Sequence, residues 1–268
     1  MRNEPTRSLS WDTLLRPSAR PSPLPPLLYG LDQIRSHYRE LLDEKPDDYF
    51  ERFDPYILDK RPLVSNLVEK AFARLFPDKV PNLLDVGCGT CFYFPLLAPH
   101  AEKITGIDLC IPMLEQAREL IAEKGLDNCE VSESSALELP FEDETFDVVH
   151  SWDFLHHVPD PKKAASEIHR VLKPGGRYIA VEPNILNISI AHYHARRRVE
   201  WGLYSKNQFT NKRTFGRHFD VSLRYDNTII SFLNERTWKL WKAIDTFTSI
   251  WPTRYLSFRY VMECRKPG

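Results

Sequence analysis

The sequence predicts an α/β fold, a mostly parallel sheet of seven strands with helices on both faces. The first observation behind this is an alternation, between Asn82 and Glu182, of short apolar runs with segments of helical period. The second is the stretch Leu83-Leu84-Asp85-Val86-Gly87-Cys88-Gly89, where an apolar run passes directly into paired glycines, as at the end of a strand. The third is Leu172-Lys173-Pro174-Gly175-Gly176, whose Pro-Gly-Gly suits a sharp helix-to-strand reversal before the fifth strand. At 268 residues and 42% hydrophobic, the chain is long enough for one substantial core.

Residues 1–26 hold six prolines and four arginines and read as a flexible tail. Arginine and serine would suit a transit peptide there, but Glu4, Asp12 and the prolines do not. Residues 27–61 read as a helical cover, with a helix around Leu31–Leu42 and Tyr38, Tyr49, Phe50, Phe53 and Tyr56 packing against the main domain. The main domain is expected over 62–268. It opens with a helix at Pro62–Phe76, where Leu63, Leu67, Ala71 and Leu75 recur at helical spacing and Pro62 suits the first position. Strands are predicted at Asn82–Val86, Lys103–Asp108, Glu130–Ser132, Phe146–Ser151 and Arg177–Glu182. Helices are predicted at Phe92–Leu97, Pro112–Lys124 and Lys162–Leu172. Met113, Ala117, Leu120 and Ile121 form one apolar stripe, and Ala164, Ile168 and Val171 another. Phe219–Asp226 and Ser257–Arg265 supply the last two strands, as an antiparallel edge pair. Insertions fall at about 184–206 and 227–255. Within the second, Trp238, Trp241, Ile244, Phe247 and Trp251 give Phe232–Trp251 one apolar helical face, read as core or lid, with a membrane-surface or dimer contact as the alternative.

A net charge of -1 argues against general nucleic-acid binding. No apolar run approaches the roughly 20 residues of a membrane span, and no secretory signal opens the chain, so a cytoplasmic protein with reduced thiols is expected. Of the five cysteines, Cys88 and Cys91 form a C-x-x-C without the second pair that a structural zinc site needs, and no metal is expected. The Asn187-Ile188-Ser189 sequon has no meaning without export. Residues 184–224 hold eight lysines or arginines, including Arg196, Arg197 and Arg198, against Glu200 and Asp220. This reads as a solvated face, with peripheral membrane contact through residues 184–255 as the alternative.

The spacing of the glycine loop weakens two nucleotide readings. A dinucleotide site requires G-x-G-x-x-G, but the third position is Phe92, and no Lys-Ser/Thr follows to make a phosphate-binding loop. What remains is Asp-x-Gly-x-Gly, with a helix start from about Phe92 aiming amide groups at the ligand. Asp108 ends the second strand about 20 residues further on, the distance at which an acid in such folds meets ribose hydroxyls. Ser134-Ser135-Ala136-Leu137-Glu138-Leu139-Pro140-Phe141 follows the third strand, and Phe146-Asp147-Val148-Val149 opens the fourth.

Together with Leu-Lys-Pro-Gly-Gly, these segments from Leu83 to Pro183 resemble class I S-adenosylmethionine-dependent methyltransferases. The likeness is to the small-molecule branch of quinone C-methyltransferases and sugar or natural-product O-methyltransferases. The resemblance implies a Rossmann-like sheet with an antiparallel edge pair and S-adenosyl-L-methionine as cofactor. It assigns Asp85 to the methionine ammonium, the backbone at Gly87 and Gly89 to the methionine end, and Asp108 to the ribose. Leu109 and Ala136 would flank the adenine, and Met113 and Ser151 complete the cofactor set. Ser135 stands where the family commonly has an acid for the adenine amino group, and Cys91 where it commonly has glycine.

The same resemblance places Ser151-Trp152-Asp153-Phe154-Leu155-His156-His157 at the methyl end. There His157 or His156 would serve as base for a hydroxyl acceptor, oriented by Glu182 at the end of strand five. The expected reaction is methyl transfer to a small-molecule acceptor, with oxygen favoured. Alternatives are C- or N-methylation of a quinone or lipid-linked acceptor at a membrane surface, and a regulatory protein that binds the cofactor without turnover.

Overall fold

The computed structural model describes residues 54–195, 198–226 and 253–268, together with positions 36, 243 and 247. The tail, the Leu31–Leu42 helix, Tyr38, Tyr49, Phe50 and Phe53 lie outside the described residues, as does the Phe232–Trp251 stripe apart from Phe247. Phe247 is exposed.

Helices α1 (Ile57–Lys60) and α2 (Pro62–Leu75) lead into β1 (Val80–Val86). There follow α3 (Phe94–Leu97), β2 (Ala101–Asp108), α4 (Ile111–Glu123), β3 (Cys129–Glu133), β4 (Phe146–Trp152), α5 (Pro161–Val171) and β5 (Leu172–Pro183). Beyond it lie α6 (Ile188–Ala195), α7 (Gly202–Ser205), α8 (Gln208–Phe215), β6 (Asp220–Asp226) and β7 (Arg259–Arg265). The seven strands form one sheet in the order β3-β2-β1-β4-β5-β7-β6. The first five are parallel, and β7 runs antiparallel between β5 and β6. The order reverses at β1 and β4, which opens a crevice beyond their carboxyl ends where ligands of such sheets bind. No helix among the described residues is long and apolar enough to cross a membrane.

Alternation along the strands sorts the core into two layers. Leu83, Ile104, Val148 and Ile179 face α2, α3 and α4, while Leu84, Ile107, Val149 and Ala180 face α5 and α8. In α2 Val64, Val68, Ala71, Phe72 and Leu75 are buried with Leu67 packed beside them, so Ala71, Leu75 and Leu67 of the predicted face meet the core, and Leu63 lies outside the described side chains. Phe72 lies against the rings of His150 and Trp152 on β4. Helix α5 begins where predicted because Asp160 accepts from the Lys162 and Lys163 amides and Pro161 occupies its first position.

Lys-Pro-Gly-Gly behaves differently from the expected free turn. Strand β5 starts at Leu172, opposite Phe146, and its next partner pair is Val148 with Arg177. The intervening residues bulge at Gly175, which has φ 74°, and its amide donates to the Lys266 carbonyl just past β7.

Candidate active site

The loop after β1 is built on positive φ. Gly87 and Gly89 stand at φ 74° and 54°, and a Cβ at Gly87 would lie 2.3 Å from the Phe154 ring. Cys91, where the resemblance expects glycine, is itself at φ 56° with its side chain fully buried. The expected helix from Phe92 is shorter than predicted. Residues up to Tyr93 form turns, and α3 is a single turn with Pro95 near its start. The loop backbone therefore shapes the site, with little helix behind it.

Asp85 is the next to last residue of β1. It is fully buried on the α2 side of the sheet, with Oδ1 2.5 Å from His150 Nδ1 and Oδ2 accepting from the Tyr93 hydroxyl at 2.8 Å. The alternation that turns Leu84 and Val86 to one face turns Asp85 to the other, beneath the loop. Both of its oxygens thus meet neighbours within the fold. Ser151 is likewise set by the strand alternation. Its hydroxyl is buried and paired with that of Tyr178 at 2.7 Å, inside the layer under α5 and α8.

Asp108 ends β2 beside the loop. Its Oδ2 accepts from the Gly89 amide and its Oδ1 from the Cys110 amide, each at 2.9 Å. Burial pushes its carboxyl above the usual carboxylate range against these amide bonds. Leu109 is half-buried next to it, and the Met113 sulfur would be 3.6 Å from a Cβ at Gly89. Ala136 is buried, and the Ser135 hydroxyl accepts from the Leu137 amide at 3.1 Å, holding the turn after β3. Asp108, Leu109 and Met113 thus lie at and after the end of β2, and Ser135 and Ala136 in the turn after β3.

The histidine pair occupies a short 3₁₀ turn, Leu155–His157, after β4. Glu182 is fully buried, and its Oε1 accepts from the Phe154 and Leu155 amides at 2.8 and 2.7 Å. Its Oε2 lies 2.7 Å from His156 Nδ1, so the expected carboxylate–histidine pair exists and selects His156. The other nitrogen of His156 is 3.2 Å from Glu200 Oε2. Burial works against the charged ring, but the two carboxylates prevail and push His156 up to about 10. Both ring nitrogens of His156 thus face carboxylates, which ties the ring into the fold. His157 differs. Its side chain is 16% exposed, Nε2 lies 3.7 Å from Glu200 Oε2, and burial followed by the charge on His156 holds it well below its ordinary value.

Glu200, His194 and Lys206 were missed at the sequence level. Glu200 and His194 are buried on the segment after β5, and Lys206 Nζ donates to the His156 carbonyl at 3.2 Å. No motif spacing links them to the histidine pair. The available signal was Gly202, since a Cβ there would lie 1.8 Å from the His156 carbonyl oxygen. Asn184 anchors this segment. Its side-chain amide donates to Tyr255 and Ser257, and its oxygen accepts from Leu186 and Gln208. Asn187 of the sequon donates to the Leu256 carbonyl and is buried.

This strand order, with an acid-and-glycine loop after β1 and an acid ending β2, defines the class I methyltransferase fold. Residues 84–180 match the family model described as a methyltransferase domain. A demethylmenaquinone methyltransferase of Listeria monocytogenes is 38% identical over 113 residues, 41% of this chain and 48% of that protein. A sterol 4-C-methyltransferase of Caenorhabditis elegans is 30% identical over 161 residues, 56% of this chain and 47% of that protein. The match thus spans about half the length of these relatives. Among solved structures, phosphoethanolamine N-methyltransferase 2 of Haemonchus contortus in complex with S-adenosyl-L-methionine superposes with a TM-score of 0.56 at 21% identity. That superposition covers 75% of this chain and 52% of that one, and speaks for the fold alone.

Proposed function

We propose that this protein methylates a small-molecule acceptor with S-adenosyl-L-methionine, with a hydroxyl oxygen as the preferred acceptor atom. The observation that carries the reading is the Asp108 carboxylate, fixed by the Gly89 and Cys110 amides at the rim of a loop whose glycines have positive φ. The residues fit the cofactor. A carboxylate so held still has lone pairs for a ribose diol, and Leu109 and Ala136 offer apolar surface for a purine. When bound, S-adenosylmethionine supplies an electrophilic methyl on a sulfonium.

The chain's own contribution is position, dryness and a proton acceptor. Phe154 packs on Gly87, so the turn bearing the histidines is docked on the cofactor loop. His157 is the side chain of this turn that keeps some exposure, and it is our candidate base. His156 and Glu182 hold the turn in place. The second reading is C-methylation, favoured by the names of the menaquinone and sterol relatives.

The test is release of S-adenosylhomocysteine from the full chain offered phenol, sugar, quinone and lipid acceptors. With a hydroxyl acceptor, His157→Ala should slow turnover by roughly a hundredfold or more, the range of general-base effects. Full rate in that variant would end the base assignment. Turnover confined to a carbon acceptor would select the second reading.

A further inference from the structure

We propose that His156, His194 and Glu200 form a site for a divalent transition ion, zinc by its donor chemistry, that clips the segment after β5 to the turn after β4. One ligand atom from each residue lies within 4.8 Å of the others. His156 Nε2 is 3.2 Å and His194 Nε2 3.8 Å from Glu200 Oε2. Ligands about 2.0–2.2 Å from a tetrahedral zinc ion stand roughly 3.3–3.6 Å apart, so small adjustments would admit the ion.

The outer nitrogens carry the argument further. His156 Nδ1 is 2.7 Å from Glu182, and His194 Nδ1 is 2.8 Å from the Ile190 carbonyl. Donation from Nδ1 to a carboxylate or carbonyl turns Nε2 inward as the ligand nitrogen, which is how metal-bound imidazoles are oriented. Glu182 is itself held by the Phe154 and Leu155 amides, so this outer support is rigid. Two imidazoles and a carboxylate, without a thiolate, suit zinc, cobalt or iron(II) better than magnesium or calcium. An ion there would sit between His156 Nε2 and Glu200 Oε2, now 3.2 Å apart, and binding it would release any proton held between them. The elements joined are short. Glu200 sits in the 3₁₀ turn Arg198–Trp201 and His194 in the eight-residue α6, beside a cluster that among the described residues comprises Ile190, Leu203 and Phe258 with Ile185.

This site stands apart from the cofactor assignment and is tested without turnover. The full chain, stripped with a chelator, is titrated with Zn²⁺ by calorimetry and with Co²⁺ in the visible. One ion per chain is expected, with the Co²⁺ bands of a nitrogen and oxygen donor set. His194→Ala and Glu200→Gln should each weaken Zn²⁺ binding at least tenfold, with folding checked by circular dichroism. Absence of stoichiometric binding by the unaltered chain would overturn the proposal. So would undiminished binding in both variants, or thiolate bands abolished by Cys88→Ser.

Discussion

Cys91 holds a side chain in backbone space that glycine occupies more cheaply, and burial of its sulfur offsets the cost. A β-branched residue cannot take φ 56° as readily, so Cys91→Val should lose more than about 2 kcal/mol in urea unfolding. Cys91→Gly should stay within about 1 kcal/mol of the parent, because relief of the backbone offsets the lost packing. Asp85 teaches a related lesson. The sequence showed an acid before the glycines but not its partners, since His150 is 65 positions away and meets Asp85 only through the β1–β4 register. If Asp85 supports the loop from beneath, Asp85→Ala should cost roughly 2–4 kcal/mol, leaving His150 and Tyr93 without their acceptor. Cofactor affinity of the folded fraction should then fall less than tenfold by calorimetry. A loss confined to affinity would favour the ammonium-binding role.

Elements were legible in proportion to their periodicity. The stripe in α5 is buried as predicted, and the strand centres fall where the apolar runs lie, because two-layer packing enforces both periods. Helix α3 was overread, since Phe92 to Leu97 is apolar on all sides and gives no helical face to count. The segment after β5 was illegible for another reason. Its order comes from single polar contacts at long range, such as Asn184 to Ser257 and Glu200 to His156, and such contacts leave no spacing rule. Glu200 looked like one acid in a basic stretch and proves to be a buried partner of the histidine turn. Gly202 is where this segment is most exposed to test. Gly202→Ala would drive a methyl into the His156 carbonyl, so α7 must lift from the turn. The expected outcome is faster proteolysis between residues 190 and 206 and at least a tenfold loss of turnover, with cofactor affinity retained. Unchanged proteolysis and turnover would show that this contact is dispensable.

At the scale of the molecule, the sheet divides its labour between the two halves. The β1 and β2 ends carry a loop and an acid suited to an adenosine-linked ligand, and both were readable because their spacing is local. The β4 and β5 ends carry the histidine turn and its carboxylate. They are closed by a segment that belongs to this chain's own chemistry and lies beyond the matched stretch at 84–180. Under the proposed function the two ends serve cofactor and acceptor respectively, joined by the Phe154 ring on Gly87, so variants away from that contact should affect one side more than the other. The central claim is that the loop and Asp108 bind S-adenosylmethionine, and calorimetry on the full chain tests it most directly. The account predicts one cofactor per chain, with affinity lowered roughly ten- to a hundredfold in Asp108→Ala, the worth of hydrogen bonds to a charged group. Failure of the unaltered chain to bind, or equal affinity in the variant, would contradict it.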